Sequence, residues 1–371
     1  MSSYLKYVYV LYFVSHCLLP LKSATILTNS TFYLWGEIIM YNIKNRKTSK
    51  IEAVTFSELG MQENDIEEIL RTGIELVCDD EESLLIIGRQ VKNEKLGRSD
   101  LTAIDNYGNL VLIEIKRDRK DIENRKEAFE FQAIRYAASY ATIKTVEDLV
   151  KFVYAPYIDK YKEEFALGEL TSFELGTRKI NEFLKVNDSQ DKFNKRQRII
   201  LVASEFDEQT LSAVAWLNDN NVDISCFKLI PYKIGQEILI DTEKILPVSK
   251  NDDFYVNLLD RSSLTIKTNK GIIRRSLPKI DSMLEWGLVK AGDVILAKDR
   301  TDEGILLKNG NVKVDGKEIS MQMWLKALYG WSSIQTYVFA VHKASGMTLS
   351  QIREEYMKEQ ERKILSDNAN D

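Results

Sequence analysis

The segment Leu110-Val111-Leu112-Ile113-Glu114-Ile115-Lys116 constrains this chain more than any other. Side chains on a strand alternate between faces. Leu110, Leu112, Glu114 and Lys116 therefore share one face, and Val111, Ile113 and Ile115 share the other. A strand that is apolar on both faces belongs in the centre of a sheet covered on both sides. Yet this one ends with a carboxylate and an ammonium on the same face. Leu101 to Ile104 reads as a partner strand, with Asp105-Asn106-Tyr107-Gly108-Asn109 as the turn of a β-hairpin. That hairpin folds Asp100 back beside Glu114. Unpaired charge at the end of a buried sheet is costly, so two acids and one lysine there make either a structural ion cluster or a metal site.

The composition narrows the chemistry. Among 371 residues there are two histidines, His16 and His342. A histidine zinc site, an HNH-type nuclease and a Ser-His-Asp triad are excluded in practice. Hydrolysis would rest on carboxylates, lysine and a hard cation, Mg²⁺ or Mn²⁺. Cys17, Cys78 and Cys226 form no CxxC pair, which argues against a disulfide framework or a zinc ribbon and for a reducing compartment. A net charge of −5 argues against non-specific coating of nucleic acid, but leaves room for a local basic surface.

Several segments frame the hairpin. Residues 1–39 carry an apolar, aromatic stretch from Tyr4 to Leu21, which reads either as a signal peptide or anchor, or as a leader upstream of a true start at Met40. Only the first alternative implies a membrane; the second, with the free cysteines, implies a cytoplasmic protein. Met40 to Ile43 and Lys50 to Ala53 suggest a small hairpin closed by Lys44 to Lys47. Glu63 to Thr72 reads as a helix with Ile66, Ile69 and Leu70 on one face, and Leu84 to Ile87 as a short buried strand. Phe129, Ala133, Tyr136, Ala137 and Tyr140 form the stripe of a long helix, and Thr145 to Tyr154 forms another. Arg198–Ala203, Val222–Leu229 and Gln236–Ile240 read as strands, with a helix over Gln209–Asn218. Strands alternating with helices predict an α/β fold.

Asp100…Glu114-Ile115-Lys116 has the form D…(D/E)-x-K. Asp100, Glu114 and the backbone carbonyl of Ile115 suit a divalent cation, and Lys116 suits charge developing on a phosphate. Residues Gly97-Arg98-Ser99-Asp100-Leu101, Asn109 to Lys116 and Gln132-Ala133-Ile134-Arg135-Tyr136-Ala137 resemble the PD-(D/E)xK nuclease superfamily, more narrowly the relatives of NucS-type endonucleases. Ser99 stands where the family has proline. The resemblance covers roughly residues 40–248 and implies a restriction-endonuclease-like mixed sheet flanked by helices. It implies a Mg²⁺- or Mn²⁺-dependent endonuclease in defence or restriction, acting on DNA without a small-molecule cofactor, and it admits a homodimer. It also implies that Gln132 supports the site, that Arg135 lies near the nucleic acid, and that an acid of the first helix assists. Glu68 and Glu75 are the candidates for that acid. Arg117, Arg119 and Lys120, in the charge run after Lys116, are candidate phosphate contacts or a solvated helix start.

Pro247 to Asp253 begins a linker (249–270), and residues 271–349 change character. Asn309-Gly310 and Asp315-Gly316 are strong hairpin turns. Leu284 to Ile295, Gly310 to Ser320 and the Trp324…Gly330-Trp331 region resemble the RAMA domain, a small module found beside restriction enzymes and adenine methylases. That resemblance implies an α+β module that reads DNA. Otherwise Trp286, Trp324 and Trp331 are core aromatics. Residues 350–371 read as a charged helix and tail. The competing function is a non-catalytic nucleic-acid-binding protein in which the acid–lysine cluster is structural.

Overall fold

A computed structural model describes residues 40–78, 82–93, 97–118, 121–122, 127–247 and 277–367. The leader, the 249–270 linker, Arg119 and Lys120 lie outside the described residues. No helix among those described is long and apolar enough to cross a membrane.

The chain is mixed α/β. Its larger unit is residues 56–229 and 242–371. The strands β3 (Leu84–Asn93), β4 (Gly97–Asp105), β5 (Leu110–Lys116), β6 (Gln197–Ala203), β7 (Ile224–Ile234) and β8 (Glu237–Leu246) form one sheet in chain order. β3, β4 and β5 pair antiparallel, whereas β6 and β7 run parallel to β5. Parallel strands need crossovers, and helices supply them. α2 (Phe129–Tyr140) and α5 (Ser172–Val186) fall between β5 and β6, and α6 (Glu208–Asp219) between β6 and β7. From Val111 to Ile115 β5 is buried on both faces, as its composition demands.

Several elements run further than their local signals suggested. β3 extends to Asn93 rather than stopping at Ile87, and β4 begins at Gly97. Asp100 therefore sits within a strand. β7 and β8 also outlast the apolar runs that mark them, because ladder bonds continue through polar residues. α1 (Glu63–Thr72) starts where the Asp65 carboxylate accepts from the Gln62 N–H at 2.7 Å. α3 (Val146–Leu149) and α4 (Ala155–Lys160) flank a π-helical stretch, Val150–Tyr154. α5 opens with a reciprocal capping box between Thr171 and Glu174.

The C-terminal module is an antiparallel sheet of β9 (Val294–Ala297), β10 (Glu303–Leu306), β11 (Val312–Val314), β12 (Lys317–Ile319), β13 (Ala340–His342) and β14 (Met347–Thr348). Its helices are α7 (Ile280–Glu285), α8 (Met321–Tyr329), α9 (Thr336–Phe339) and α10 (Leu349–Asp367). β13, β14 and α9 are too short for a periodic signal. Trp324 and Trp331 are core residues, and Trp286 stacks on Tyr356 of α10. α10 does not stand apart as a charged tail: the buried Arg353 donates to the Pro278 carbonyl and lies over the Tyr337 ring.

The module docks on β3, the edge strand of the large sheet. The Ser332 and Ser333 N–H groups each donate to the Leu84 carbonyl at 2.9 Å. The Leu84 and Ile86 N–H groups donate at 2.9 Å to the hydroxyls of Ser333 and Ser332. Trp331 packs edge-on against Phe183 of α5, and Lys326 pairs with Glu75 at 2.9 Å. The start of this sheet edge, Leu84 to Ile86, is thereby covered by the chain itself.

The smaller unit comprises residues 230–241 with the described residues 40–55. Its hairpin, β1 (Met40–Lys44) with β2 (Lys47–Ile51), is tighter than expected. Asn45 and Arg46 both have positive φ, 54° and 63°, as a two-residue primed turn requires. β2 accordingly starts at Lys47 rather than Lys50.

Candidate metal centre

The β4–β5 register pairs Leu101 with Ile113, which sets Asp100 opposite Glu114. Like charges opposed on a sheet repel, so this pair needs a counter-charge or a proton. The Asp100 Oδ2 accepts from the Ile115 N–H at 2.8 Å. Glu114 has no solvent exposure. Its Oε2 meets the Gln132 amide at a long 3.5 Å, and its Oε1 is buried with no hydrogen-bond partner. Burial pushes both carboxyls well above the usual carboxylate range. At Glu114 the Asp100 charge adds to that shift, and the Lys116 ammonium opposes it at both.

Lys116 turns toward α1. Its Nζ lies 3.5 Å from Glu63 Oε1 and donates to the Ile115 carbonyl at 3.2 Å. The Phe129 ring of α2 is beneath it, with the centroid at 5.7 Å. α2 is held against the sheet by small residues, Ala133 and Ala137. Tyr140 anchors its end to β4, within 2.9 Å of the Ser99 and 2.8 Å of the Thr102 hydroxyls. This anchoring brings Gln132 to the site, one turn before the buried Tyr136.

The acids expected from the first helix are corrected. Glu68 faces away and pairs with Arg71 at 2.6 Å and with Arg89. Glu75 lies beyond α1, paired with Lys326 of the C-terminal module. The acids facing the site are Glu63 and Glu67. Both charges act on Asp100 in the direction that raises it, after burial. Glu67 is 3% exposed and bonded to Arg89 and Gln90. The signal was in the sequence: Glu63, Ile66, Glu67 and Leu70 are spaced i, i+3, i+4, i+7, so two acids share the core stripe. Arg89 and Gln90 had no such signal: two successive strand residues reach one carboxylate where Gln90 takes a left-handed backbone, φ 52°, which no periodicity marks.

Of the basic residues expected at nucleic acid, the described Arg117 and Arg135 are engaged with acids. Arg117 pairs with Asp118 at 3.1 Å and Asp121 at 3.3 Å, and Arg135 pairs with Glu127 at 2.6 Å. Asp118 in turn accepts from the Ser57 hydroxyl.

Among the described residues, no three His, Cys, Asp or Glu side chains gather closely enough to hold a metal by themselves. The donor set is mixed: two carboxylates and the Ile115 carbonyl. It suits a hard cation, and the orphaned Glu114 oxygen is the atom such a cation would satisfy. Comparison of the chain with protein-family models, with curated proteins and with solved structures finds no match.

Proposed function

We propose that the chain is a divalent-cation-dependent endonuclease with a PD-(D/E)xK-type site, acting on DNA. The observation that carries this reading is the opposed pair of half-buried Asp100 and fully buried Glu114, one Glu114 oxygen unpartnered, with Lys116 two residues on. Asp100, Glu114 and the Ile115 carbonyl would hold Mg²⁺ or Mn²⁺. A cation so bound polarises a phosphate and lowers the pKa of its water. Lys116 carries the positive charge that meets the anionic phosphate oxygens, and Gln132 steadies the Glu114 carboxylate. Arg117 and Arg135 would meet the DNA backbone by exchanging their present carboxylate partners for phosphates. The C-terminal module, read as RAMA-like, would supply further DNA contacts.

Purified protein incubated with plasmid should nick or cut it with Mg²⁺ or Mn²⁺ and not with chelator. Asp100→Ala, Glu114→Ala and Lys116→Ala should each remove cleavage while circular dichroism stays unchanged. A Lys116→Ala protein that cuts as fast as the parent overturns the proposal. The ion pair between Lys116 and Glu63 favours a second reading, a nucleic-acid-binding protein whose acid–lysine cluster is structural. Under that reading, calorimetric titration with Mn²⁺ gives no binding at millimolar concentration.

A further inference from the structure

The β1–β2 hairpin concentrates positive charge in a chain that is acidic as a whole. Residues 40–55 hold four cations, Lys44, Arg46, Lys47 and Lys50, against one acid, Glu52, in a protein whose net charge is −5. Glu52 pairs with Lys50 at 3.1 Å. Lys44, Arg46 and Lys47 are exposed and, among the described residues, have no acidic partner. Strand pairing opposes Lys44 directly to Lys47, and like charges so placed repel. Arg46 between them holds φ 63°, at the turn position that glycine fills without strain. Two sources of local instability therefore meet at one tip. Each exists because a cation stands where a neutral residue would fit, and strain of this kind concentrates where function requires it.

The shape of the hairpin narrows the partner. Among the described residues it is a ribbon of two strands joined by no third. It is held at its base, where Ala53 bridges Tyr232 and the Val54 N–H donates to the Pro231 carbonyl at 2.9 Å. Residues opposed across the ribbon share a face, so Tyr41, Ile43, Thr48 and Lys50 line one side. Tyr41 and Ile43 are 50% and 69% exposed. The major groove of B-DNA, about 12 Å wide and about 8.5 Å deep, admits a two-stranded ribbon. There the tip cations meet phosphates, and Ile43 suits a thymine methyl group. An anionic bilayer fits less well. The apolar side chains stand behind the charged tip, so burying them would carry Lys44, Arg46 and Lys47 into the bilayer first.

We propose that the β1–β2 hairpin is a DNA-binding arm that enters the major groove of duplex DNA, with Lys44, Arg46 and Lys47 on the phosphates. The inference rests on the endonuclease reading for its choice of DNA and adds to it a contact surface other than the acid–lysine site. Fluorescence anisotropy of a short labelled duplex, titrated with the full chain in chelator over a range of salt, tests it. Arg46→Gly relieves the backbone, and Lys44→Gln combined with Lys47→Gln relieves the repulsion, so both proteins should melt at or above the parental temperature. Both should nevertheless bind the duplex more weakly. The slope of log affinity against log salt should become shallower by roughly 0.9 for each cation removed, so the double variant should change about twice as much as Arg46→Gly. Parental affinity and slope in both variants overturn the arm while the endonuclease reading stands. Binding to phosphatidylserine vesicles that depends on these residues, with no such dependence on DNA, overturns it as well. An equal loss on single-stranded DNA overturns the placement in a groove. A parent that binds no duplex at low salt removes the DNA reading itself, and the arm with it.

Discussion

Glu114 is the residue where the energetics are sharpest. A carboxylate without exposure, facing Asp100 across the strand pair and with one oxygen unpartnered, is destabilising whenever it is charged and no cation is present. Burial, and then the Asp100 charge, raise its folded pKa above the unfolded value. The folded state therefore binds more protons than the unfolded one above the ordinary carboxylate range. Stability then falls as pH rises through neutrality. In chelator, the melting temperature of the parent should drop between about pH 5 and pH 8. Glu114→Gln should drop less and melt above the parent at pH 8. A parent profile that is flat or rising over this interval contradicts the assignment. Added Mn²⁺ should raise the parent's melting temperature at pH 8 and leave Glu114→Gln nearly unmoved, since a ligand stabilises only the form that binds it.

At the scale of elements, α1 and β3 work as a pair. Arg71 and Arg89 tie them together and to the aromatic residues beyond α3. Arg71 donates to Glu68, to Glu164 at 2.7 Å and to the Tyr157 hydroxyl at 3.1 Å, while Arg89 donates to Glu67 and the Tyr161 hydroxyl. The register shift of β3 against β4 between Ile86 and Gly88 is maintained by close packing around Gly88. Gly88→Ala would force a methyl against Val91, Val153 and Thr102, and overpacking of this kind costs about 1–3 kcal/mol. Chemical denaturation should show that loss with an unchanged m-value.

At the scale of the molecule, the C-terminal module is part of the structure that carries the site. Ser333 is fully buried; its hydroxyl accepts from the Leu84 N–H and donates to the Glu82 carbonyl at 3.0 Å. Ser333→Ala takes this donor from the Glu82 carbonyl and leaves the Leu84 N–H only its 3.3 Å bond to the Ser333 carbonyl, and should cost about 1–3 kcal/mol. Trp331→Ala removes a ring packed on Phe183, Tyr329 and Phe339 and should cost about 3–5 kcal/mol. The large sheet and the module should melt together, since these contacts join them. A calorimetric scan with two separated transitions, one of them moved alone by Trp331→Ala, would contradict this.

The sequence by itself determined the features that local pattern controls. Leu110 to Ile115 had to be central because it is apolar on both faces, and its hairpin had to bring Asp100 to Glu114 because strand alternation and turn length leave no other register. The stripe of α2 put Gln132 on the helix that covers them. The helical spacing of Glu63, Ile66, Glu67 and Leu70 already put two acids on the core stripe of α1, but tertiary structure alone decided what Glu67 meets there, because Arg89 and Gln90 come from another element. It also decided that Arg89 and Gln90 converge, since a left-handed residue within a strand leaves no periodic trace. The covering of the start of β3 by Ser332 and Ser333 was equally illegible: contacts across some 250 residues depend on how two sheets meet, which no window of sequence contains. The β4–β5 hairpin thus keeps its two acids and its lysine, and packing adds Glu63 and Glu67 of α1 to their surroundings.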